Sequence, residues 1–254
     1  MSKQPRIQVA VLGSFPPLRA LSSYCLEFAS ALARLAEVKF ISFRKIYPAF
    51  LYPGGKLEDD DSFPDIQLPA LEVSRNLTWY NPFTWLKAGF FTKAELLHAQ
   101  WWSAPLLPIY LMIAAAFRIR GKPVVITIHN VVSHEQSSLF SRLSGLLYKL
   151  GNHYIVHSQQ NREQLMRLHH IDRGKISVIP HGPLELFTGT MVSRADARSR
   201  LGFSDQHKVI LLFGAIRPYK GIDTALDAIS MLASDMPGIR VLIAGKLWGE
   251  WQPY

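Results

Sequence analysis

One pattern limits what this chain can fold into. Short, continuously apolar runs alternate with stretches whose apolar residues recur at three-four spacing, and polar breaks separate them. Ile7 to Leu12 is the first such run. It enters the break Gly13-Ser14-Phe15-Pro16-Pro17, and a helical pattern follows from Ser22 to Leu35, with Leu26, Ala29, Leu32 and Ala33 near one face. Val38 to Phe43 reads as the next strand. Leu96 to Gln100 reads as a strand and Leu106 to Arg118 as a buried helix. Gly121-Lys122-Pro123 turns the chain into Val124 to Ile128, the clearest strand of all. Leu139, Leu143, Leu146, Leu147 and Leu150 then stripe an amphipathic helix. Tyr154 to Val156 is a strand, Asn161 to Leu168 a helix, and Lys175 to Ile179 a strand. Strands without polar alternation must be covered on both faces, so the expected fold class is α/β, a Rossmann-like parallel sheet with helices on both faces.

The rhythm lapses twice. Residues 49–76 read as a loop-rich excursion, with Pro53-Gly54-Gly55 and the acidic run Glu58 to Asp61. Residues 188–207 are polar and read as a linker after a first domain of residues 1–187. A second unit over 208–254 holds a strand from Lys208 to Ile216, a helix from Ile222 to Leu232 and a strand from Arg240 to Ala244. Such a strand–helix–strand unit is too small to cover both faces of a parallel pair. The expectation is an incomplete second Rossmann-like domain, truncated and capable of self-association.

Composition narrows the class further. A 48% share of apolar residues offsets the ordering entropy and excludes disorder as the main state. The single cysteine, Cys25, excludes a disulfide framework and a cysteine-rich metal site, and fits a reducing, cytoplasmic compartment. Net charge is +9, and residues 101–200 carry most of it, with 12 basic against 5 acidic side chains. No run of five or six consecutive Lys/Arg exists, so nucleic acid is disfavoured as a partner. An anionic membrane face or a phosphorylated ligand stays open. Leu96 to Phe117 is 22 residues without a formal charge, but His98, Gln100, Ser103, Pro105 and Pro108 argue against a membrane span.

In a parallel sheet the residues after each strand usually meet the ligand. Here they are Gly13-Ser14, Gln100-Trp101-Trp102, His129-Asn130, His157-Ser158, His181-Gly182 and Arg217 to Gly221. Gly13 and Ser14 form either an anion site of exposed amides or a simple strand–helix turn. His129 is either a ligand-facing imidazole or a strand cap, and His134 and Glu135 follow it on the acceptor-side loop. That loop lacks the second histidine of a zinc H-E-x-x-H motif, and no metal is expected. Trp101 and Trp102 could line an acceptor site, though core packing is the better bet. Arg217 and Lys220 suit two adjacent phosphates, with Gly214 allowing close backbone approach, yet such residues are also common in surface loops. Neither G-x-G-x-x-G nor a Walker motif occurs, which argues against a nicotinamide or P-loop nucleotide site.

Together these segments resemble the retaining glycosyltransferases of family 4, which have the GT-B fold. "VLGSFPPLRALSSYCLEFASALA" resembles the family's opening strand, loop and helix; "AELLHAQWW" its aspartate-plus-histidine strand, with Glu95 where Asp is usual. "VVITIHN" is similar to the strand ending in its active-site histidine, here His129. "HYIVHSQQNREQL" and "KISVIPHGPLELF" resemble its later segments, and "LLFGAIRPYKGIDTALDAI" the start of its nucleotide domain. The resemblance implies Arg217, Lys220, Gly214 and Gly13 on the donor side, His129 as the catalytic group, and a nucleotide-sugar as substrate without a metal or other cofactor. It implies sugar transfer with retention to an acceptor, for which a lipid-linked group or a saccharide is open; the single cysteine and the basic middle segment, not the resemblance, suggest a cytoplasmic protein touching the inner membrane face. Arg19-Ala20-Leu21 depart from the further glycines usual in the opening loop, and the paired-glutamate segment has no counterpart in these 254 residues. The alternative is a non-catalytic binding module derived from the same first domain.

Overall fold

The computed structural model describes residues 6–18, 21–48, 68–131, 138–185, 192–214, 216–217, 220–245 and 247. The chain divides into two compact units at Phe187/Thr188.

In the first unit, strands β1 (Gln8–Leu12), β2 (Glu37–Lys45), β3 (Leu71–Thr78), β4 (Leu96–Trp101), β5 (Val124–Ile128), β6 (His153–Val156) and β7 (Ile176–Val178) form one sheet. Its order is β3-β2-β1-β4-β5-β6-β7, and every pairing is parallel. Successive side chains of a strand point to opposite faces. Val9 and Val11 of β1 therefore meet helix α1 (Ser22–Leu32), beside Leu26 and Ala29. Ala10 and Leu12 join the larger core on the other face. That core is covered by α2 (Pro82–Phe91), α3 (Leu107–Ile119), α4 (Ser138–Tyr148) and α5 (Gln159–His169), which contribute Trp85, Ile113, Leu147 and Leu165. The expected α/β fold with helices on both faces is present, one helix on one face and four on the other.

Three segments differ from expectation. Residues 71–76, expected within a loop, belong to edge strand β3. An edge strand pairs on one side only and stays half exposed, so it tolerates Glu72, Ser74 and Arg75 and lacks the apolar run of its neighbours. Helix α2 has apolar residues all round and gives no amphipathic signal; its bounds come from Asn81, whose side chain accepts from the Phe83 amide at 3.1 Å, and from Pro82 at the first turn. The polar segment 188–207 contains helix α6 (Arg194–Arg200). Ser193 caps it, accepting from the Asp196 amide and donating to Asp196 Oδ2 at 2.6 Å. End chemistry defines this helix, not a buried stripe.

The second unit pairs β8 (Lys208–Phe213) in parallel with β9 (Ile239–Ala244) through α7 (Ile222–Leu232). Its strands are partly or fully exposed along their length, unlike those of the first unit.

Candidate functional site

The site is assembled at and just below the carboxyl edge of the first sheet, on the α1 face. Strand alternation sends His98 and Gln100 of β4, Thr127 of β5 and His153 of β6 to this face, while Leu97, Ala99, Ile126, Ile128 and Tyr154 enter the opposite core. The parallel register sets these polar side chains side by side. His98 Nε2 lies 2.7 Å from Thr127 Oγ1, and His153 Nε2 lies 2.9 Å from Ser177 Oγ.

His129, first residue after β5, is central. Its backbone N–H donates to the Trp101 carbonyl at 3.0 Å, so the ladder fixes the ring's origin. Nε2 lies 2.9 Å from Gln100 Oε1, and Nδ1 lies 3.3 Å from His157 Nε2. His157 Nδ1 in turn donates to the Ile179 carbonyl at 3.0 Å. Tyr24 of α1 reaches over the edge, its ring 4.7 Å from His129, 5.4 Å from His157 and 4.8 Å from His181. Phe28, one turn on, meets His98 edge-on at 4.8 Å.

This bond chain has two polarities. Ile179 O can only accept, so His157 carries a hydrogen on Nδ1. If His157 is neutral, its Nε2 accepts from His129 Nδ1, and His129 Nε2 then needs a donor, which is the Gln100 amide nitrogen. If His157 is charged, it donates from both nitrogens, and His129 Nε2–H donates to Gln100 Oε1. The structure has Oε1 facing His129, with Gln100 Nε2 buried and without a hydrogen-bond partner among the described residues. Burial favours the neutral polarity. Desolvation, with His157, His181 and His98 adding smaller repulsions, lowers the His129 pKa to about 3. Desolvation lowers His98 to about 4 and also depresses His157. Burial pushes the Tyr24 phenol up to about 12, so it stays protonated.

The other expected site residues divide. Gly13 does not offer a free amide, because its N–H donates to the Ile41 carbonyl at 3.2 Å. Its missing side chain is needed for packing: a Cβ would lie 3.0 Å from Cys25 Sγ and 3.3 Å from Gln100 Cβ. Ser14 is buried and its hydroxyl accepts from the Leu21 amide at 3.0 Å, tying down the loop instead of facing an acceptor. Trp101 is fully buried on the opposite face, donating to Ser144 Oγ at 3.2 Å, and Trp102 packs edge-on to Tyr110. Neither tryptophan joins the histidines, because alternation sends Trp101 into the helix-covered core. His134 and Glu135 lie outside the described residues.

In the second unit, Gly214 ends β8 at φ 115°, a conformation that favours glycine, and its N–H donates to the Ala244 carbonyl at 3.0 Å. Arg217 is half-buried and Lys220 exposed, with the Lys220 amide donating to the Arg217 carbonyl at 3.0 Å. Gly221, at φ 67°, caps α7 immediately after them. Tyr24, Phe28 and His98 were not among the expected site residues, whereas Gln100 was expected among the post-strand residues. The three post-strand histidines were a usable signal, since parallel strands deliver them to one edge. Among the described residues, no group of three His, Cys, Asp or Glu side chains is arranged to hold a metal ion, and no helix is long and apolar enough to cross a membrane.

A parallel sheet with ligand-grade side chains at its carboxyl edge, followed by a strand–loop–helix unit, is the architecture of GT-B proteins. The solved structures it resembles agree. Anabaena Alr3699/HepE, crystallised with UDP and glucose, matches with a TM-score of 0.62 at 17% identity, over 95% of this chain and 61% of that one. Medicago truncatula UGT71G1, complexed with UDP-glucose, matches at 0.52 and 12%, over 98% and 72%. UDP-N-acetylglucosamine 2-epimerase from Rickettsia bellii matches at 0.53 and 10%, over 94% and 62%, so the fold is shared with proteins named for a different reaction. The family model for glycosyltransferase family 4 matches residues 21–182, and the chain belongs to that family. D-inositol 3-phosphate glycosyltransferases from Mycolicibacterium gilvum and Mycolicibacterium smegmatis are 37% and 38% identical over 91 residues. Those 91 residues are 36% of this chain and 20% of either relative, so the match spans about a fifth of each relative's length.

Proposed function

We propose that this chain takes part in transfer of a sugar from a nucleotide-sugar donor to an acceptor, with retention at the anomeric carbon and without a metal. The observation that carries the reading is the family match across residues 21–182, which includes the whole of the His129 cluster. The first unit, residues 1–187, supplies the acceptor side, and the unit over 208–254 the donor side, where Arg217 and Lys220 precede the α7 N-terminus. Oriented amides and two cations in one loop suit a diphosphate, and they would stabilise the charge on the leaving group as a metal does elsewhere. His129 and its partners present neutral imidazoles able to exchange hydrogen bonds with sugar hydroxyls. Both ring nitrogens of His129 are engaged, so a hydroxyl would take over the longer bond, the one to His157. The acceptor is lipid-linked or a saccharide, in a cytoplasmic setting.

Calorimetric titration with UDP, GDP and ADP tests the donor side, using the protein expressed from its full coding sequence. One nucleotide should bind, and R217A/K220A should abolish its heat. Absence of binding by a folded protein rejects the reading. A second reading, a non-catalytic interaction module, is favoured by exposed Leu211, Phe213 and Met231 in the second unit. Light scattering separates the two: a partnerless monomer counts against the module.

A further inference from the structure

His157 follows β6 as His129 follows β5, and their rings meet at the carboxyl edge with centroids 4.9 Å apart. The two are held differently. His129 is fixed by its ladder bond to Trp101, by Gln100 Oε1 at 2.9 Å from Nε2, and by the Tyr24 ring edge-on at 4.7 Å. His157 is half-buried and has one tether, Nδ1–H to the Ile179 carbonyl at 3.0 Å. Beyond His129, its ring contacts among the described residues are with Tyr24 at 5.4 Å and His181 at 5.5 Å. The bond between the two imidazoles, at 3.3 Å, is the longest of the three in this chain. It is the one that gives way, with His157 as the moving partner.

The polarity of that bond decides what replaces it. Ile179 O only accepts, so in the neutral pair His157 Nε2 keeps its lone pair and His129 Nδ1 keeps its hydrogen. Desolvation depresses both imidazoles and so favours the neutral pair. A group entering between the rings therefore meets one donor and one acceptor. A hydroxyl satisfies both. A fluorine, an ether or a carbonyl oxygen leaves Nε2 unpaired, and an ammonium leaves Nδ1–H unpaired. A hydroxyl about 2.8 Å from each nitrogen needs them about 4.6 Å apart, so the pair opens by roughly 1.3 Å. A small swing of a half-buried ring on one tether supplies that. Tyr24, in ring contact with both histidines, gives the carbon-bound hydrogens beside such a hydroxyl an aromatic wall.

We propose that His157 and His129 together read one hydroxyl of the transferred sugar, His129 Nδ1–H donating to its oxygen and His157 Nε2 accepting its hydrogen. His157 is then a specificity-determining residue. The proposal rests on the sugar-transfer reading, in which His129 is the catalytic group and so touches the sugar that moves. The other histidines of this face do not offer the same pair. His98 is buried with Nε2 at 2.7 Å from Thr127 Oγ1, His153 Nε2 lies 2.9 Å from Ser177 Oγ, and His181 Nδ1 lies 2.8 Å from the Gly182 carbonyl.

Calorimetry of the full chain with the glucose, galactose and mannose forms of UDP, GDP and ADP finds the tightest nucleotide-sugar. Its monodeoxyfluoro forms, one for each hydroxyl, then test the pair. Fluorine cannot donate, so one form should bind about tenfold or more weaker than the unmodified sugar, and the others close to it. H157F should erase that difference by removing the acceptor. H157Q, whose carbonyl reaches the place of Nε2, should keep it. Both variants should melt as the parent does; if H157F does not, H157N, whose carbonyl stops short of that place, takes its part. Nitrogen NMR without ligand is a second check: near neutral pH His157 should carry its hydrogen on Nδ1 and leave Nε2 bare. A folded protein that binds no nucleotide-sugar overturns the sugar-transfer reading, and the proposal falls with it. Binding with no preference among the fluoro forms, a preference that H157F leaves intact, or a hydrogen on His157 Nε2 overturns the proposal alone.

Discussion

The two faces of the seven-stranded sheet come from the same residues' backbone and have opposite chemistry. On one, Leu97, Ala99, Ile126, Ile128, Tyr154 and Val156 pack beneath four helices. On the other, over β4 to β7, the same strands present His98, Gln100, Thr127, His153 and Ser177. The apolar face gains from burial that has no direction, so shape and volume are all it demands. The polar face gains only if each group meets a partner, and every partner lies on a neighbouring strand. Register, set by packing on the apolar side, is therefore what satisfies the polar side.

Predictions can break this comparison in decreasing order of effect. Trp101→Ala opens a hole in the apolar face and should cost about 3–5 kcal/mol in urea unfolding, with loss of the Ser144 bond included. The polar face should respond instead to acid. His98 titrates near 6.5 when unfolded and near 4 when folded, so between those values only the unfolded chain binds the proton. Its contribution to stability is fully present above about pH 6.5 and falls by on the order of 3 kcal/mol as pH drops to 4. Urea midpoints measured across that range check the sign. A rise in stability on acidification would mean that His98 is charged in the fold.

Where the faces meet at the carboxyl edge, Gly13→Ala should cost about 1–3 kcal/mol through the Cys25 clash. Adding Cys25→Ala should recover part of that loss; no recovery would place the strain at Gln100 instead. Nitrogen NMR of the imidazoles sharpens the picture without unfolding anything. Near neutral pH His129 should carry its hydrogen on Nδ1, and Gln100→Glu should move it to Nε2, because a carboxylate can only accept. Outside both faces, Phe83→Ser should change stability by no more than about 0.5 kcal/mol, which thermal melting can verify.

Much of the fold was legible because parallel strands buried on both sides leave continuous apolar runs. Val124–Ile128 and the helix Ile222–Leu232 were read to the residue. Strand β3 was not, since an edge strand needs no such run, and α2 was not, since apolar residues on all sides hide its period. The site was half legible. His129 and the other post-strand histidines stand out by position, but Tyr24 reaches them from a helix more than 100 residues earlier. Gly13 and Ser14 stand at that edge with their N–H and hydroxyl engaged within the fold, and the tryptophans pack as the sequence favoured.

By itself the sequence determined the α/β class, the parallel sheet and the edge at which polar residues gather, because apolar periodicity and turn chemistry are local. Only the tertiary structure decided which of those residues meet. Hydrogen bonds such as Gln100 to His129 to His157 join three strands, and the outward aromatic face of α2 exists because α3 takes the other side. Both depend on distances across the sheet, and no local pattern encodes them.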